Sequence, residues 1–375
     1  MFSSQVPLPP NPGLLALEGG LVIRGTRRGF PADAEGDLIF TTAATGWGEI
    51  LTDPSYAGQV VVLTHPMVGS YRIDPASLES SRVHARALIV TRLVTPPRGP
   101  GLSVEDLLLS GRIPALEGVD TRALTLQIRH GARRRVAIRS GTLPDSEAVA
   151  AACAAPSWEA VDHVAAVAPD RPYRLEPVGA RRGRVALIDY GVKRSLLSAF
   201  TRRGMEVVAL PPSATVPQIA ALHPDLVVLS PGPGDPARMA AQIATVRTLV
   251  RDAVDGGPPL LGVCLGHQLI GLALGAPTSR LAVGHHGGNH GVVEADNGRV
   301  TIGAHNHEVA VLDHPALAEA GFRVRYRDLN DGTVEGLVHV SGRVASVQFH
   351  PEGAPGPTDA AGLFDVALRA AGPAA

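Results

Sequence analysis

The sequence of 375 residues predicts an α/β protein, in which a mixed, β-rich N-terminal domain precedes a doubly wound, mostly parallel α/β domain. Three observations lead to this prediction. From about residue 14 to 138, short apolar runs are separated by turns. From about 142 to 183, the chain is rich in Ala, Pro and charged residues. After 183, apolar strands alternate with helical segments, which is typical of a parallel sheet with helices on both faces.

These changes in pattern also predict the domain boundaries. The Pro-rich residues 1–13 are expected to form a disordered tail. The first domain is placed at 14–145 and the second at 183–373. A helix and an arm, residues 146–182, are expected to connect them.

In the first domain, turn residues separate the predicted strands, and one helix is well marked: Ser103 is its N-cap and Gly111 follows its end. A second short helix is predicted within 120–131. In the second domain, the predicted strands are 184–191, 205–211, 225–236, which runs into a Gly/Pro loop, and 259–266. The predicted helices are 192–204, 216–224, 239–257, 267–275 and 360–372. Shorter strands are expected after residue 280.

Composition excludes several classes of function. The chain is 45% hydrophobic and has a formal net charge of -1, which argues against broad electrostatic binding to nucleic acid or to anionic membranes. Two cysteines, Cys153 and Cys264, provide no disulfide framework and favour a reducing compartment. The N-terminus does not read as a signal peptide, and the apolar runs are too short to span a membrane. We therefore expect a cytoplasmic protein.

Cys264 stands where a predicted strand turns into a helix, within GVCLGHQ. Ligand sites in open parallel sheets form at the carboxyl ends of the strands. A thiol at a helix N-terminus has a lowered pKa, and neighbouring N–H groups can bind an oxyanion. A buried structural cysteine is the alternative, and the residues around the thiol must decide between the two.

Two further segments support a catalytic interpretation. His350 and Glu352 lie two residues apart in QFHPEG, so an extended chain places both side chains on one side. They would serve as a base and the carboxylate that orients it. In SPGPGDP, Gly232 and Gly234 allow backbone N–H groups to approach a ligand closely.

Together, the PGPG loop, the G-x-C-x-G-x-Q turn and the HPE ending resemble the class I glutamine amidotransferase family, from about Arg184 to the C-terminus. The resemblance implies that Cys264 is the nucleophile, His350 the general base and acid, and Glu352 the orienting carboxylate. It also implies that Gly234 and Leu265 supply the oxyanion hole and that Gln268 holds glutamine.

The first half is similar to the N-terminal domain of small subunits of glutamine-hydrolysing carbamoyl-phosphate synthases, at 41–71, at 78–90 and at 118–132. The similarity implies a glutamine contact at Ser55 and another at Asn306. It also implies a large-chain partner that binds ATP and Mg. For this chain itself, we expect no cofactor and no metal.

One departure concerns the segment after Asn306. The family usually has glycine and an aromatic residue where this chain has Glu308 and Val309. The glutamate is expected to require a different backbone conformation and to add negative charge near the site. This departure affects the expected substrate affinity rather than the reaction type.

Three alternatives remain open at this stage. A metal site in the histidine-rich residues 284–307 is possible, but their glycine-rich spacing lacks carboxylate or thiolate partners. A glutaminase serving another synthetase conflicts with the first half of the chain. A non-catalytic scaffold subunit conflicts with the intact Cys264, His350 and Glu352.

Overall fold

The computed structural model describes residues 11–131 and 134–372. The chain divides into two compact units, one up to Val161 and one from Asp162 onward. Residues 1–10 of the predicted tail lie outside the described residues. The first strand begins at Pro12, so the last two residues assigned to that tail are part of the sheet instead.

The first unit is a closed seven-stranded barrel with strand order β1-β2-β6-β5-β4-β3-β7. Strands β3 to β6 pair in parallel, and the other neighbours are antiparallel. Closure leaves no free sheet edge. The strands are β1 (Pro12–Leu17), β2 (Val22–Gly29), β3 (Ala34–Thr41), β4 (Gln59–Leu63), β5 (Ala87–Val90), β6 (Pro114–Glu117) and β7 (Arg135–Ser140).

Four α-helices accompany the barrel, namely α1 (Trp47–Thr52), α2 (Val104–Ser110), α3 (Thr121–Arg129) and α4 (Asp145–Ala154). Both helices predicted in this unit are confirmed. Helix α2 begins with a reciprocal cap, because Ser103 Oγ accepts the Asp106 N–H at 3.0 Å and Asp106 Oδ2 accepts the Ser103 N–H at 2.8 Å. The cap orients the helix so that Leu107 and Leu108 are buried.

The division between the units falls inside the predicted connecting segment. Helix α4 packs on the barrel, where Ala148 joins the apolar cluster of Leu14 and Ala16. Past Val161, helix α5 (His163–Val167) and strand β8 (Tyr173–Leu175) are part of the second unit, and β8 pairs with β10 (Met205–Leu210). The segment is thus shared between both units.

The second unit is built on a ten-stranded sheet of order β14-β13-β15-β16-β17-β12-β11-β9-β10-β8. Its centre is parallel, from β17 through β10, and antiparallel strands extend it on both sides. The remaining strands are β9 (Gly183–Ile188), β11 (Leu226–Leu229), β12 (Leu260–Val263), β13 (Thr278–Glu294), β14 (Val300–Val311), β15 (Phe322–Asp328), β16 (Val334–His339) and β17 (Val344–Val347).

Helices cover this sheet: α6 (Arg194–Thr201), α7 (Val216–Ala220), α8 (Ala240–Val254), α9 (Leu265–Ala273), α10 (Pro315–Glu319) and α11 (Gly362–Ala370). Two apolar clusters hold them, one including Ile188, Leu229 and Leu269, the other Leu187, Phe200 and Phe364. The alternation of strand and helix after residue 183 is therefore confirmed. Across the described ranges, no helix combines the length and apolar character needed to cross a membrane.

The expectation of shorter strands after residue 280 is confirmed for β15, β16 and β17, which have 7, 6 and 4 residues. It is wrong for β13, which has 17 residues, and for β14, which has 12. The β13–β14 register shifts twice, between Arg280 and His285 and between Gly287 and His290, so the ribbon continues across irregularities. Those shifts interrupt the two-residue alternation that normally marks a long strand in a sequence.

Ser103→Ala is expected to lower the free energy of unfolding by about 0.5–2 kcal/mol, because the first turn of α2 loses its cap. Urea unfolding followed by circular dichroism measures the change. Ser110→Ala is the matched control, since Ser110 is exposed at the other end of the same helix. It is expected to stay within about 0.5 kcal/mol of wild type. Equal effects of the two substitutions would contradict the role given to the cap.

Candidate active site

Cys264 lies at a strained turn between β12 and α9. Its φ is 53° and its ψ is -105°, a conformation that costs a non-glycine residue on the order of 1–3 kcal/mol. Its N–H donates to Val347 O at 2.8 Å, so the adjacent strand β17 holds the turn. The thiol follows the carboxyl end of a central parallel strand, as predicted, and lies at the N-terminus of a nine-residue helix.

Glycines on either side of the cysteine permit this turn. A Cβ on Gly262 would lie 2.7 Å from the carbonyl oxygen of Gly266. A Cβ on Gly266 would overlap Leu229 O even more severely. The spacing G-x-C-x-G is therefore required by close backbone packing between β12, α9 and β11.

His350 is oriented by Glu352. Its Nδ1 lies 2.8 Å from Glu352 Oε1, and both residues are buried. Because a carboxylate can only accept here, Nδ1 carries the hydrogen and the lone pair is on Nε2. Among the described residues, Nε2 has no hydrogen-bond partner. This is the arrangement of a general base awaiting a proton donor.

Lys193 completes the group and was not predicted. It is the only lysine of the chain, and it is buried. Its Nζ lies 3.3 Å from Glu352 Oε1 and donates to Gly353 O at 2.8 Å. Burial alone raises the pKa of Glu352, but Lys193 and His350 lower it to about 2. Its position just past the carboxyl end of β9 was the available signal in the sequence.

The thiol is contacted by two groups from neighbouring segments. Cys264 Sγ lies 3.8 Å from the carbonyl oxygen of Asn306, and Gln348 Nε2 donates to Sγ at 3.7 Å. Gln268 Nε2 in turn donates to Gln348 Oε1 at 3.1 Å and to Val309 O at 2.7 Å. Gln268 therefore positions Gln348, a residue that sequence reasoning missed. The Oε1 of Gln268 remains for the predicted contact with a substrate.

The PGPG loop lies against the cysteine turn. Gly266 N–H donates to Ser230 O at 3.2 Å, directly before the loop. A Cβ on Gly232 would collide with Tyr190 O, and Gly234 has a φ of +100°, so both positions require glycine. Leu265 is the first residue of α9, and its N–H therefore has no acceptor within the helix. Assignment of Gly232, Gly234 and Leu265 to substrate or oxyanion binding stays a prediction.

Two predicted glutamine contacts have defined surroundings. Asn306 Oδ1 lies 2.9 Å from His286 Nδ1 in the second unit. Ser55 belongs to the first unit, where its N–H donates to Asp53 Oδ1 at 2.9 Å. Its hydroxyl is buried and, among the described residues, has no hydrogen-bond partner. Both assignments to glutamine binding stay predictions.

Glu308 fits its strand without an unusual backbone, contrary to expectation. It lies within β14 and is absent from the residues with positive φ. Its Oε1 lies 2.7 Å from His286 Nε2, and its Oε2 lies 3.3 Å from Arg280. The added negative charge is therefore met by a cation inside the protein.

The histidine-rich ribbon has two polar faces. His286, Asn306 and Glu308 share one face, on which their side chains contact one another. The opposite face of the ribbon carries His285, His305 and His307. In sequence these histidines lack a carboxylate partner, but the structure places Glu335 of β16 and Asp328 of β15 beside them.

The second unit thus combines a cysteine at a strand-to-helix turn with a carboxylate-oriented histidine. Residues 186–370 match the family described as Glutamine amidotransferase class-I. The site and the match define a class-I glutamine amidotransferase domain.

Residues 15–138 match a second family, Carbamoyl-phosphate synthase small chain, CPSase domain. Curated relatives named Carbamoyl phosphate synthase small chain include proteins from Methanopyrus kandleri, Nitratidesulfovibrio vulgaris and Bacillus caldolyticus. Each is 40% identical to this chain and covers 94% of it, and the matches extend over 96%, 96% and 94% of these relatives. The chain belongs to the carbamoyl phosphate synthase small-chain family, the glutamine amidotransferase subunit of a glutamine-hydrolysing ligase.

Gly266→Ala is expected to destabilise the second unit by about 1–3 kcal/mol or more, because the new methyl group overlaps Leu229 O. Gly362→Ala is the matched control, since a Cβ there meets nothing within 4 Å. Thermal unfolding of both variants and wild type provides the comparison. A melting temperature of Gly266→Ala equal to that of the control would contradict the packing argument.

Lys193→Met is expected to lower the free energy of unfolding near pH 7 and to make it depend less on pH in the acid range. Glu352 has a lowered pKa in the folded state, so its contribution to stability is complete above its unfolded pKa of about 4.3 and is lost as the pH falls towards 2. Without Lys193 the pKa of Glu352 rises towards its unfolded value, so this contribution is smaller at pH 7 and less of it is lost as the pH falls.

Urea unfolding between pH 3 and 7 measures this difference. Arg251→Met is the control, because it removes an exposed cation beside the partly exposed Asp252. Its acid profile is expected to follow wild type. A Lys193→Met profile parallel to that of wild type would show that Lys193 does not hold the charge on Glu352.

Proposed function

We propose that the chain hydrolyses L-glutamine to glutamate and ammonia through a cysteinyl thioester and supplies the ammonia to a synthase large chain. The observation that carries this proposal is the His350–Glu352 pair, whose Nε2 is buried and available next to the strand that bears Cys264. Strands β12 and β17 are direct neighbours, with Val263 paired to Val347.

In the first half-reaction, the Cys264 thiol transfers its proton to His350 Nε2 and Sγ attacks the side-chain amide carbon of glutamine. The oxygen becomes an oxyanion, for which the N–H groups of Leu265 and Gly234 are the proposed donors. Loss of one such donor typically lowers the rate on the order of a hundredfold. His350 then protonates the amide nitrogen, the C–N bond breaks, and ammonia leaves a γ-glutamyl thioester.

In the second half-reaction, His350 accepts a proton from water, and the resulting hydroxide attacks the thioester carbon. The C–S bond breaks, glutamate departs and the thiol is restored. Glu352 keeps the imidazole in the required tautomer and stabilises its protonated form in both steps. Lys193 keeps Glu352 ionised.

The need for a partner chain follows from the chemistry of the product, ammonia. Ammonia released into water at neutral pH becomes ammonium and loses its nucleophilicity, so it must be used before it escapes. No Walker-type phosphate-binding loop occurs in the sequence, since its single lysine follows valine. We therefore assign ATP, Mg and bicarbonate to the large chain, and carbamoyl phosphate for arginine and pyrimidine synthesis to the complex.

Cys264→Ser is expected to abolish glutamine hydrolysis almost completely, because the hydroxyl lacks the nucleophilicity of the thiolate. Ammonia release is measured for wild type and variant, each alone and with the large chain. Cys153→Ser is the matched control, since this exposed thiol lies in the first unit. Its activity should equal that of wild type.

The outcomes separate the alternatives. Activity that is lost in Cys264→Ser and increased in wild type by the large chain supports the coupled subunit. Equal activity in wild type and Cys264→Ser would refute the nucleophile assignment. Near-zero activity in all preparations, even with the large chain, would favour a scaffold subunit.

A further inference from the structure

One face of the β13–β14 ribbon carries a second cluster of titratable groups. It consists of His285 from β13, His305 and His307 from β14, and Glu335 from β16. All four are buried, and Glu335 has no exposed surface. One ligand atom from each lies within 4.8 Å of the others. The proposed chemistry of glutamine hydrolysis uses none of these side chains.

The inner atoms of the cluster converge without hydrogen-bond partners. Glu335 Oε1 lies 3.6 Å from His285 Nδ1 and 3.6 Å from His307 Nε2. Among the described residues, none of these three atoms has a hydrogen-bond partner. Buried polar atoms normally find a partner, so this arrangement requires an explanation.

The outer nitrogens of the same histidines all face acceptors. His285 Nε2 lies 2.9 Å from Asp331 Oδ2, and His307 Nδ1 lies 2.9 Å from Val309 O. His305 Nδ1 lies 3.2 Å from Gly303 O. Each outer nitrogen therefore carries a hydrogen, and each inner nitrogen presents a lone pair. Metal-binding histidines are held in this way, with the second N–H bonded to a carboxylate or a carbonyl.

The contacts of His305 give the most direct argument that the cluster needs a cation. Its Nε2 lies 2.9 Å from Glu335 Oε2 while its Nδ1 faces a carbonyl oxygen, so both ring nitrogens meet acceptors. Such a ring is satisfied by a second proton or by a metal ion. The inner nitrogens of His285 and His307 face the same carboxylate, each 3.6 Å from Glu335 Oε1, so one metal ion would satisfy all three rings.

We propose that His285, His305, His307 and Glu335 form a structural binding site for one divalent transition-metal ion, with zinc the best match. Three imidazole nitrogens and one carboxylate oxygen are a donor set that zinc takes in tetrahedral geometry. Ligands about 2.0–2.1 Å from a tetrahedral ion lie about 3.3–3.4 Å apart, close to the two separations of 3.6 Å. Asp328 Oδ2, 4.0 Å from His285 Nδ1, adds negative charge that favours a cation.

The site would join β13, β14 and β16 next to the proposed glutaminase centre. Glu335 O accepts the N–H of Gln348, whose side chain contacts Cys264 Sγ. His305 and His307 flank Asn306, whose carbonyl oxygen faces the same sulfur. A metal ion in this place would fix the strands that position the thiol without touching the substrate.

Metal content of the full chain tests the proposal. Protein prepared with chelator and then dialysed against Zn²⁺ is expected to retain one ion per chain, measured by mass spectrometry of the metal. Glu335→Gln keeps the shape of the side chain and removes its charge, and it should weaken binding at least a hundredfold. His339→Gln is the matched control, because His339 is a buried histidine of the same strand outside the cluster. It should retain the ion.

Two further readouts do not depend on how well a variant folds. Wild-type protein loaded with Co²⁺ should show the visible absorption of tetrahedral cobalt, and removal of the metal should lower its melting temperature but not that of Glu335→Gln. Retention of no Zn²⁺ or Co²⁺ by the wild type would overturn the proposal and leave a protonated histidine–carboxylate network. Equal retention by Glu335→Gln would place the ion elsewhere. Neither result depends on glutamine hydrolysis, so the two proposals fail separately.

Discussion

The pairing of β12 with β17 is the constraint on which the active site depends. These strands are distant in sequence, yet Val263 lies opposite Val347 and the Cys264 N–H donates to Val347 O. Parallel pairing brings both carboxyl ends to the same edge of the sheet. Cys264 and the segment leading to His350 therefore emerge side by side. Every other feature of the site refines this placement.

The strain at Cys264 depends on the same packing. A non-glycine residue with positive φ is held only when its surroundings over-determine it. Here the close approach of Gly262 to the backbone of α9 and of Gly266 to Leu229 leaves little alternative. The free energy that the strained backbone of Cys264 costs is offset by packing in the surrounding core.

The β13–β14 ribbon serves two chemical environments at once. Because side chains alternate along a strand, Asn306 and Glu308 lie on one face while His305 and His307 lie on the other. The face with His305 and His307 lies against Glu335, while the backbone carbonyl of Asn306 between them contacts the thiol of Cys264. Displacement of this ribbon would therefore affect both environments together. This coupling follows from backbone geometry alone and requires no direct contact between the two clusters.

Prediction from sequence succeeded where the signal was local. Five consecutive residues, 262–266, were enough to predict the cysteine turn, and three, 350–352, were enough to predict the pairing of His350 with Glu352. Cap residues Ser103 and Gly111 marked α2 for the same reason. Lys193 and Glu335 escaped prediction because their partners are far away in the chain, and only the sheet order brings them together. The length of β13 escaped because two register shifts break its alternation. A glutamate after His307 suggested strain, but its partner Arg280 lies across the ribbon.

The scarcity of lysine has a practical consequence. With 34 basic residues and a single lysine among them, nearly all positive charge is carried by arginine, and the one side-chain amine lies within the active-site core. Reagents that acylate amines would thus find no exposed lysine on the folded surface. Acylation of Lys193, or cleavage after it by a lysine-specific protease, would require the core around Glu352 to open. The rate of either reaction would report how often the catalytic centre comes apart.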